Sequence, residues 1–127
     1  PTLAASVIET MDYVVGTIHG QGYTRIFTTD SYLPRELDAA VRERYREAVR
    51  ARGREIVDEG LALVDARLPH DGYVAGASLT IADAALFYVE FWADKTGVPL
   101  PPRCLAHYQR MRARPAVRRV LTEEGYR

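Results

Sequence analysis

The sequence has one cysteine and no excess of either charge. Cys104 is the single cysteine among 127 residues, which excludes an intrachain disulfide and a cysteine-rich zinc site and suits a reducing compartment, with the cytoplasm as the default. Seventeen Lys and Arg residues balance seventeen Asp and Glu residues. Because the net charge is zero, we expect no global attraction to nucleic acid or to an anionic membrane surface.

The sequence also has no long apolar run and no spacing typical of metal ligands. The most apolar stretch, residues 81–93, carries two acidic residues and is shorter than the roughly 20 residues that cross a bilayer. No basic segment followed by an apolar run opens the chain, so we expect no signal peptide, and without a long apolar run we expect no membrane partner. Because no spacing is typical of metal ligands, we also expect no metal. The chain begins at Pro1 and not at methionine, which is consistent with trimming or with a missing upstream portion.

Helical periodicity is the dominant pattern in this sequence. Nearly half of the residues are apolar, which is typical of a globular protein, and residues 1–127 have the length of one domain. In the first segment, apolar residues recur at steps of three and four, namely Leu3, Val7, Met11, Val14 and Ile18. This spacing predicts a helix that ends near His19, and the turn-forming residues that follow predict a loop up to Pro34.

The helical period resumes after Pro34 and persists from Leu37 to Leu68. This pattern predicts one long helix, or two helices bent at Gly53 or Gly60. No segment alternates apolar and polar residues for long enough to predict a strand. The fold class is therefore expected to be all-α.

Three further helices are predicted in the second half of the chain. The first runs from Ile81 to about Lys95 and is apolar on every side, which is typical of a helix in the middle of a bundle. The next should end at Arg114, because the residue before a proline is driven out of helical geometry. Pro115 then suits the first turn of a last helix with three residues expected to be buried, namely Val117, Val120 and Leu121.

The run Thr80-Ile81-Ala82-Asp83 has the form of a capping box. The Thr80 hydroxyl can accept a hydrogen bond from a first-turn N–H, and the Asp83 carboxylate can accept one from the Thr80 N–H. A buried helix start needs such partners, because its free N–H groups have no access to water.

Around this box, the run from Tyr73 to Phe87 resembles the turn and central helix of the glutathione S-transferase carboxy-terminal domain. The run from Met111 to Val117, with Glu124-Gly125-Tyr126, resembles the last two helices of bacterial members. The resemblance implies a bundle of about five helices. In the family this bundle follows a thioredoxin-like amino-terminal domain, which is absent from these 127 residues.

The resemblance also implies a function. In this family the thioredoxin-like domain binds glutathione as co-substrate and supplies the Ser, Tyr or Cys that faces the thiol. The helical domain forms the pocket wall for a small electrophile. We therefore expect the helical half of a homodimeric glutathione S-transferase, inactive in isolation. The alternatives are a non-catalytic binding or assembly module, or a free-standing helical domain that covers its exposed apolar surface by oligomerising.

The resemblance indicates His19 as the residue closest to glutathione. Bacterial relatives that have a cysteine near glutathione often carry a histidine close to the sulfur, where a hydrogen-bond donor favours the reactive thiolate. The alternative is a partly exposed histidine that complements the dipole at the end of a helix.

The resemblance further indicates five residues for the second-substrate pocket. Aromatic side chains on the central helix would suit an apolar electrophile. The alternative is plain core packing, which is the commoner role of aromatic residues at helical spacing. The five candidates are Met11, Val15, Tyr23, Tyr88 and Trp92.

We interpret the remaining candidates as structural. The carboxy-terminal arginines could form an anion-binding patch, but they are more simply explained as partners of helix ends. His70 and His107 are expected at the surface, and Cys104 is expected to be structural.

Overall fold

A computed structural model describes residues 2–127, and Pro1 lies outside the described residues. Within this range the chain forms six α-helices, a π-helical segment and a 3-10 turn, and no strand, which confirms the all-α prediction. In chain order the helical elements are α1 (Leu3–Tyr13), the π segment (Val14–Tyr23), α2 (Thr24–Phe27), the 3-10 turn (Thr29–Tyr32), α3 (Ala39–Arg67), α4 (Ile81–Thr96), α5 (Pro102–Ala113) and α6 (Pro115–Glu123).

The first helix continues well beyond the predicted end near His19. Val14 and Thr24, at the junctions between α1, the π segment and α2, both have right-handed helical dihedrals. The three elements therefore form one rod over residues 3–27, and with α3 to α6 this rod gives the five predicted helices. The prediction of a loop directly after His19 was wrong, because the chain stays helical to Phe27 and Gly22 serves close packing against α3. A Cβ on Gly22 would lie 2.7 Å from Val57 Cγ2.

α3 is one continuous helix of 29 residues and not two. Its glycines lie on the buried side and face the π segment. A Cβ on Gly53 would lie 2.8 Å from the Gly22 carbonyl oxygen, and one on Gly60 would lie 2.6 Å from Ile18 Cγ1. These glycines therefore mark where two helices approach closely, and they do not mark a bend.

The core is formed by the π segment, α3 and α4, with α5 packed against α3 and α4. Each of these three elements contributes apolar side chains that are fully excluded from solvent. Burial of one such Val or Leu side chain stabilises the fold by roughly 1.5–3 kcal/mol. The fully buried apolar residues of these elements are Val14, Ile18, Tyr23, Val57, Leu61, Ala82, Leu86, Val89 and Ala93. The prediction that the helix from Ile81 is central is supported by this burial, although Ile81 itself is 64% exposed.

The carboxy-terminal helices follow the predicted boundaries but not the predicted burial. α5 ends before Arg114, and Pro115 occupies the first turn of α6. No residue of α6 is buried, and Val120 is 56% exposed. The prediction that Val120 is buried was wrong, because α6 lies at the edge of the bundle, where it packs against α5.

Three arginines from α5 and its end bind the turn that precedes α4. Arg103 donates to the Leu68 carbonyl over 2.9 Å, Arg110 donates to a carbonyl at position 72, and Arg114 donates to the Tyr73 hydroxyl over 2.8 Å. These contacts support the structural interpretation of the basic residues. Among residues 2–127, no helix combines the length and the apolar character that a membrane crossing requires.

Candidate functional site

The π segment places His19 against Tyr88 and Trp92 of α4. Its Nδ1 atom lies 3.1 Å from the Tyr88 hydroxyl oxygen, across 69 residues of sequence. The imidazole ring also meets the Trp92 ring edge to face, with centroids 5.0 Å apart. Because π-helical turns often occur at functional sites, the position of this histidine within one is a second indication of a role.

Behind His19 lies a layer of aromatic side chains. Tyr23 is fully buried, stacks on Phe27 at 5.4 Å and meets the Trp92 ring at 5.1 Å. Its hydroxyl donates to the Val89 carbonyl over 3.0 Å, which ties the π segment to the backbone of α4. Phe27 contacts Trp92 at 5.3 Å and is 51% exposed.

Four of the six residues predicted for the active site thus come together, namely His19, Tyr23, Tyr88 and Trp92. Tyr23 supports this group from behind, since it has no exposed surface. Met11 packs against the core and Val15 is 46% exposed, and neither joins the aromatic contacts described above. Their assignment to a substrate pocket stays a prediction.

Phe27 also belongs to this group, and it was not among the residues predicted from the sequence. Phe27 lies four residues after Tyr23, so helical spacing would have placed both rings on one face. The predicted loop after His19 concealed this relationship.

The start of α4 is held by the capping box predicted from the sequence. The Asp83 carboxylate accepts hydrogen bonds from the Thr80 N–H and the Val74 N–H, each over 2.8 Å. The Thr80 hydroxyl accepts from the Ala82 N–H over 3.3 Å. Asp83 therefore caps α4 and fastens the preceding turn to it.

The prediction that His107 lies at the surface was wrong. His107 is 1% exposed and lies between two fully buried carboxylates. Its Nε2 donates to Asp83 Oδ1 over 3.0 Å, and its Nδ1 donates to Glu90 Oε2 over 2.9 Å. Because the two carboxylates bind opposite sides of the ring, they do not converge as metal ligands. We call Asp83, Glu90 and His107 the buried trio.

The pKa values within the buried trio depart strongly from their ordinary values. Burial opposes protonation of His107, but hydrogen bonds to both carboxylates overcome this effect and raise its pKa to about 9. Burial raises the pKa of Glu90 to about 7, in spite of the hydrogen bond from His107. Burial also disfavours the Asp83 carboxylate, but His107 and the two backbone N–H groups hold its pKa below the ordinary range.

We expect the free energy of unfolding to fall as the pH rises from 6.5 through about 9. The folded pKa of His107 is about 9 and its ordinary value is 6.5, so its contribution is complete below 6.5 and is lost as His107 loses its proton. Glu90 acts in the same direction between pH 4.5 and about 7, because its folded pKa is also raised. Urea titrations across this range should show a loss on the order of 1–3 kcal/mol. An unchanged urea midpoint between pH 6.5 and 9 would contradict the assignment of a charged, buried His107.

Cys104 lies on α5 with no exposed surface, and its Sγ donates to the Leu61 carbonyl over 3.6 Å. Burial raises the pKa of the Cys104 thiol far above its ordinary value. Because the thiolate is the reactive form, this cysteine is an inert packing residue, in agreement with the structural interpretation.

Comparison with known proteins gives a consistent result. Residues 47–122 match the family model described as glutathione S-transferase, C-terminal domain. Over 120 residues the chain is 32% identical to the glutathione S-transferase GstA of Escherichia coli O157:H7. The aligned region covers 93% of this chain and 52% of that protein. The chain thus spans about half the length of this curated relative. No solved structure matches the chain significantly. The sequence match and the all-α architecture place this chain in the glutathione S-transferase C-terminal domain family.

Proposed function

We propose that this chain is the helical domain of a bacterial glutathione S-transferase. The family match over residues 47–122 carries the proposal, and the similarity to a named glutathione S-transferase over nearly the whole chain supports it. Glutathione is the co-substrate, and its thiolate attacks a small electrophile in a detoxification reaction. The thiol proton passes to solvent, and the thiolate sulfur bonds to the electrophilic carbon. A leaving group departs from that carbon with the bonding electron pair, or an activated double bond opens and its anion takes a proton from solvent.

In this proposal the domain supplies the second-substrate side of the active site. His19 lies next to the glutathione sulfur, and the rings of Tyr88, Trp92 and Phe27 offer an apolar wall. Phe27 is 51% exposed and His19 is partly exposed, so both are within reach of a ligand. Met11, Val15 and Tyr23 complete the proposed surroundings of this pocket.

The partners in this proposal follow from the family. A thioredoxin-like domain of the same protein holds glutathione, and two copies of the complete protein form a dimer in the cytoplasm. In this proposal, residues 1–127 form a single domain. The chain in isolation is inactive, because it does not contain the domain that binds the thiol.

Enzymology on the complete gene product tests the proposal. With its thioredoxin-like domain, the protein should bind immobilised glutathione and conjugate at least one of a panel of electrophiles, while residues 1–127 alone should do neither. We expect His19→Ala to lower kcat/KM by roughly 10- to 100-fold, the worth of one hydrogen bond to a charged group. A complete protein that neither binds glutathione nor conjugates any electrophile would reject the proposed function.

A further inference from the structure

The contact between His19 and Tyr88 joins two residues that lie 69 positions apart in the sequence. The Tyr88 hydroxyl lies 3.1 Å from His19 Nδ1, and the two rings meet edge to face with centroids 5.6 Å apart. Trp92 touches both rings, at 5.0 Å from His19 and 4.9 Å from Tyr88. The imidazole is therefore held by a hydrogen bond at one ring nitrogen and by an indole beside it.

The backbone around these rings is fixed as well. Tyr23, one turn after His19, donates its buried hydroxyl to the carbonyl of Val89, the residue after Tyr88. This bond holds the π segment and α4 in register close to the His19–Tyr88 contact. The distance between Nδ1 and the phenol is therefore determined by the core and not by two free surface side chains.

The Tyr88 phenol is a competent donor to the His19 ring. Burial raises the pKa of Tyr88, so the phenol keeps its proton at neutral pH and is available as a donor. A neutral imidazole has one nitrogen with a proton and one with a lone pair. When Nδ1 accepts from Tyr88, the proton of His19 must lie on Nε2, which leaves an N–H free to donate elsewhere.

We infer that Tyr88 is a positioning residue for His19: its hydroxyl donates to Nδ1, holds the imidazole in the Nε2–H form and orients this N–H as a donor to the glutathione thiolate. The inference rests on the proposed function, in which His19 lies next to that sulfur. It adds to the pocket-wall role proposed for the Tyr88 ring, because here the hydroxyl acts through His19.

The two roles predict different kinetics for the complete enzyme. A pocket-wall tyrosine would affect electrophiles unequally, mainly through KM. A positioning tyrosine affects all electrophiles alike, because it acts on the thiolate that they share. Its loss also moves the acidic limb of the pH profile of kcat/KM to higher pH, since a poorly placed donor stabilises the thiolate less.

The first test needs only residues 1–127 and uses the nitrogen NMR signals of the histidine rings. In the wild-type chain above neutral pH, His19 should show a protonated Nε2 and a hydrogen-bonded, unprotonated Nδ1. In Tyr88→Phe the Nδ1 signal should move towards that of a free imidazole, and the second tautomer should appear. Tyr108→Phe is the matched control, because the Tyr108 hydroxyl donates to Asp94 and not to His19. Identical His19 signals in wild type and Tyr88→Phe, or a protonated Nδ1 in wild type, would overturn the inference.

The second test measures conjugation by the complete protein. We expect Tyr88→Phe to lower kcat/KM roughly fivefold for every electrophile, the worth of one net hydrogen bond, with a shifted acidic limb. Tyr108→Phe should leave the acidic limb in place. Wild-type kinetics in Tyr88→Phe would reject the positioning role alone, whereas a wild-type protein without any conjugating activity would reject the proposed function.

Discussion

Replacement of His107 by leucine should lower the free energy of unfolding by roughly 3–5 kcal/mol, the cost of removing one partner from a buried ion pair. The substitution takes away the cation that lies between two carboxylates with no exposed surface. Asp83 keeps its backbone donors, but Glu90 loses the partner that both of its oxygens share. Urea unfolding at pH 8, above the pKa of Glu90 (about 7) and below that of His107 (about 9), measures the loss.

A double variant and a surface variant make this result interpretable. His107→Leu combined with Glu90→Leu removes both members of one pair and should recover much of the lost stability, because apolar replacements of buried pairs are well tolerated. Arg52→Leu is the control, since it breaks an exposed pair with Glu55 and should cost less than about 1 kcal/mol. A single His107→Leu variant as stable as Arg52→Leu would show that the buried trio is not charged.

Replacement of Asp83 by alanine should also lower the free energy of unfolding by roughly 3–5 kcal/mol, because this carboxylate has several partners. One carboxylate caps α4, binds the Val74 N–H of the preceding turn and accepts from His107 on α5. Its loss leaves two partly buried N–H groups without this partner and removes one of the two carboxylates that bind His107. Besides urea unfolding, amide exchange should show loss of protection at Val74 and Thr80.

A cap elsewhere in the chain provides the control for Asp83. Asp38 accepts from the Val41 N–H at the start of α3 and is exposed. Asp38→Ala should therefore cost only the ordinary price of an N-cap, about 1 kcal/mol. If Asp83→Ala is no more destabilising than Asp38→Ala, the links from Asp83 to the turn and to α5 contribute nothing.

The sequence predicted helices best where one face meets the core at a regular period. The boundaries of α4 and the junction of α5 with α6 followed from periodicity, a capping box and a proline. The predicted end of the first helix near His19 was wrong, because it rested on glycines and turn-forming residues through which the chain stays helical to Phe27. Glycine usually weakens a helix, but Gly22 is required there because α3 approaches too closely for a side chain.

The buried trio was not predictable in the same way. Glu90 and His107 are separated by 17 residues and lie on different helices, and each alone resembles an ordinary polar surface residue. Only the packing of α4 against α5 brings them together. The His19–Tyr88 contact was missed for the same reason, although both residues were predicted near the site from the family resemblance.

The arginine contacts of α5 determine where this chain would accept a foreign segment. Exposed turns usually tolerate insertion or circular permutation. The turn after α3 looks suitable by exposure, but Arg103, Arg110 and Arg114 bind its carbonyls and the Tyr73 hydroxyl. An insertion there would detach the turn from α5. Residues 34–36 ahead of α3 are exposed, and the bond from Arg42 to the Arg35 carbonyl lies at the surface, so this segment is the better place for new termini or an inserted tag.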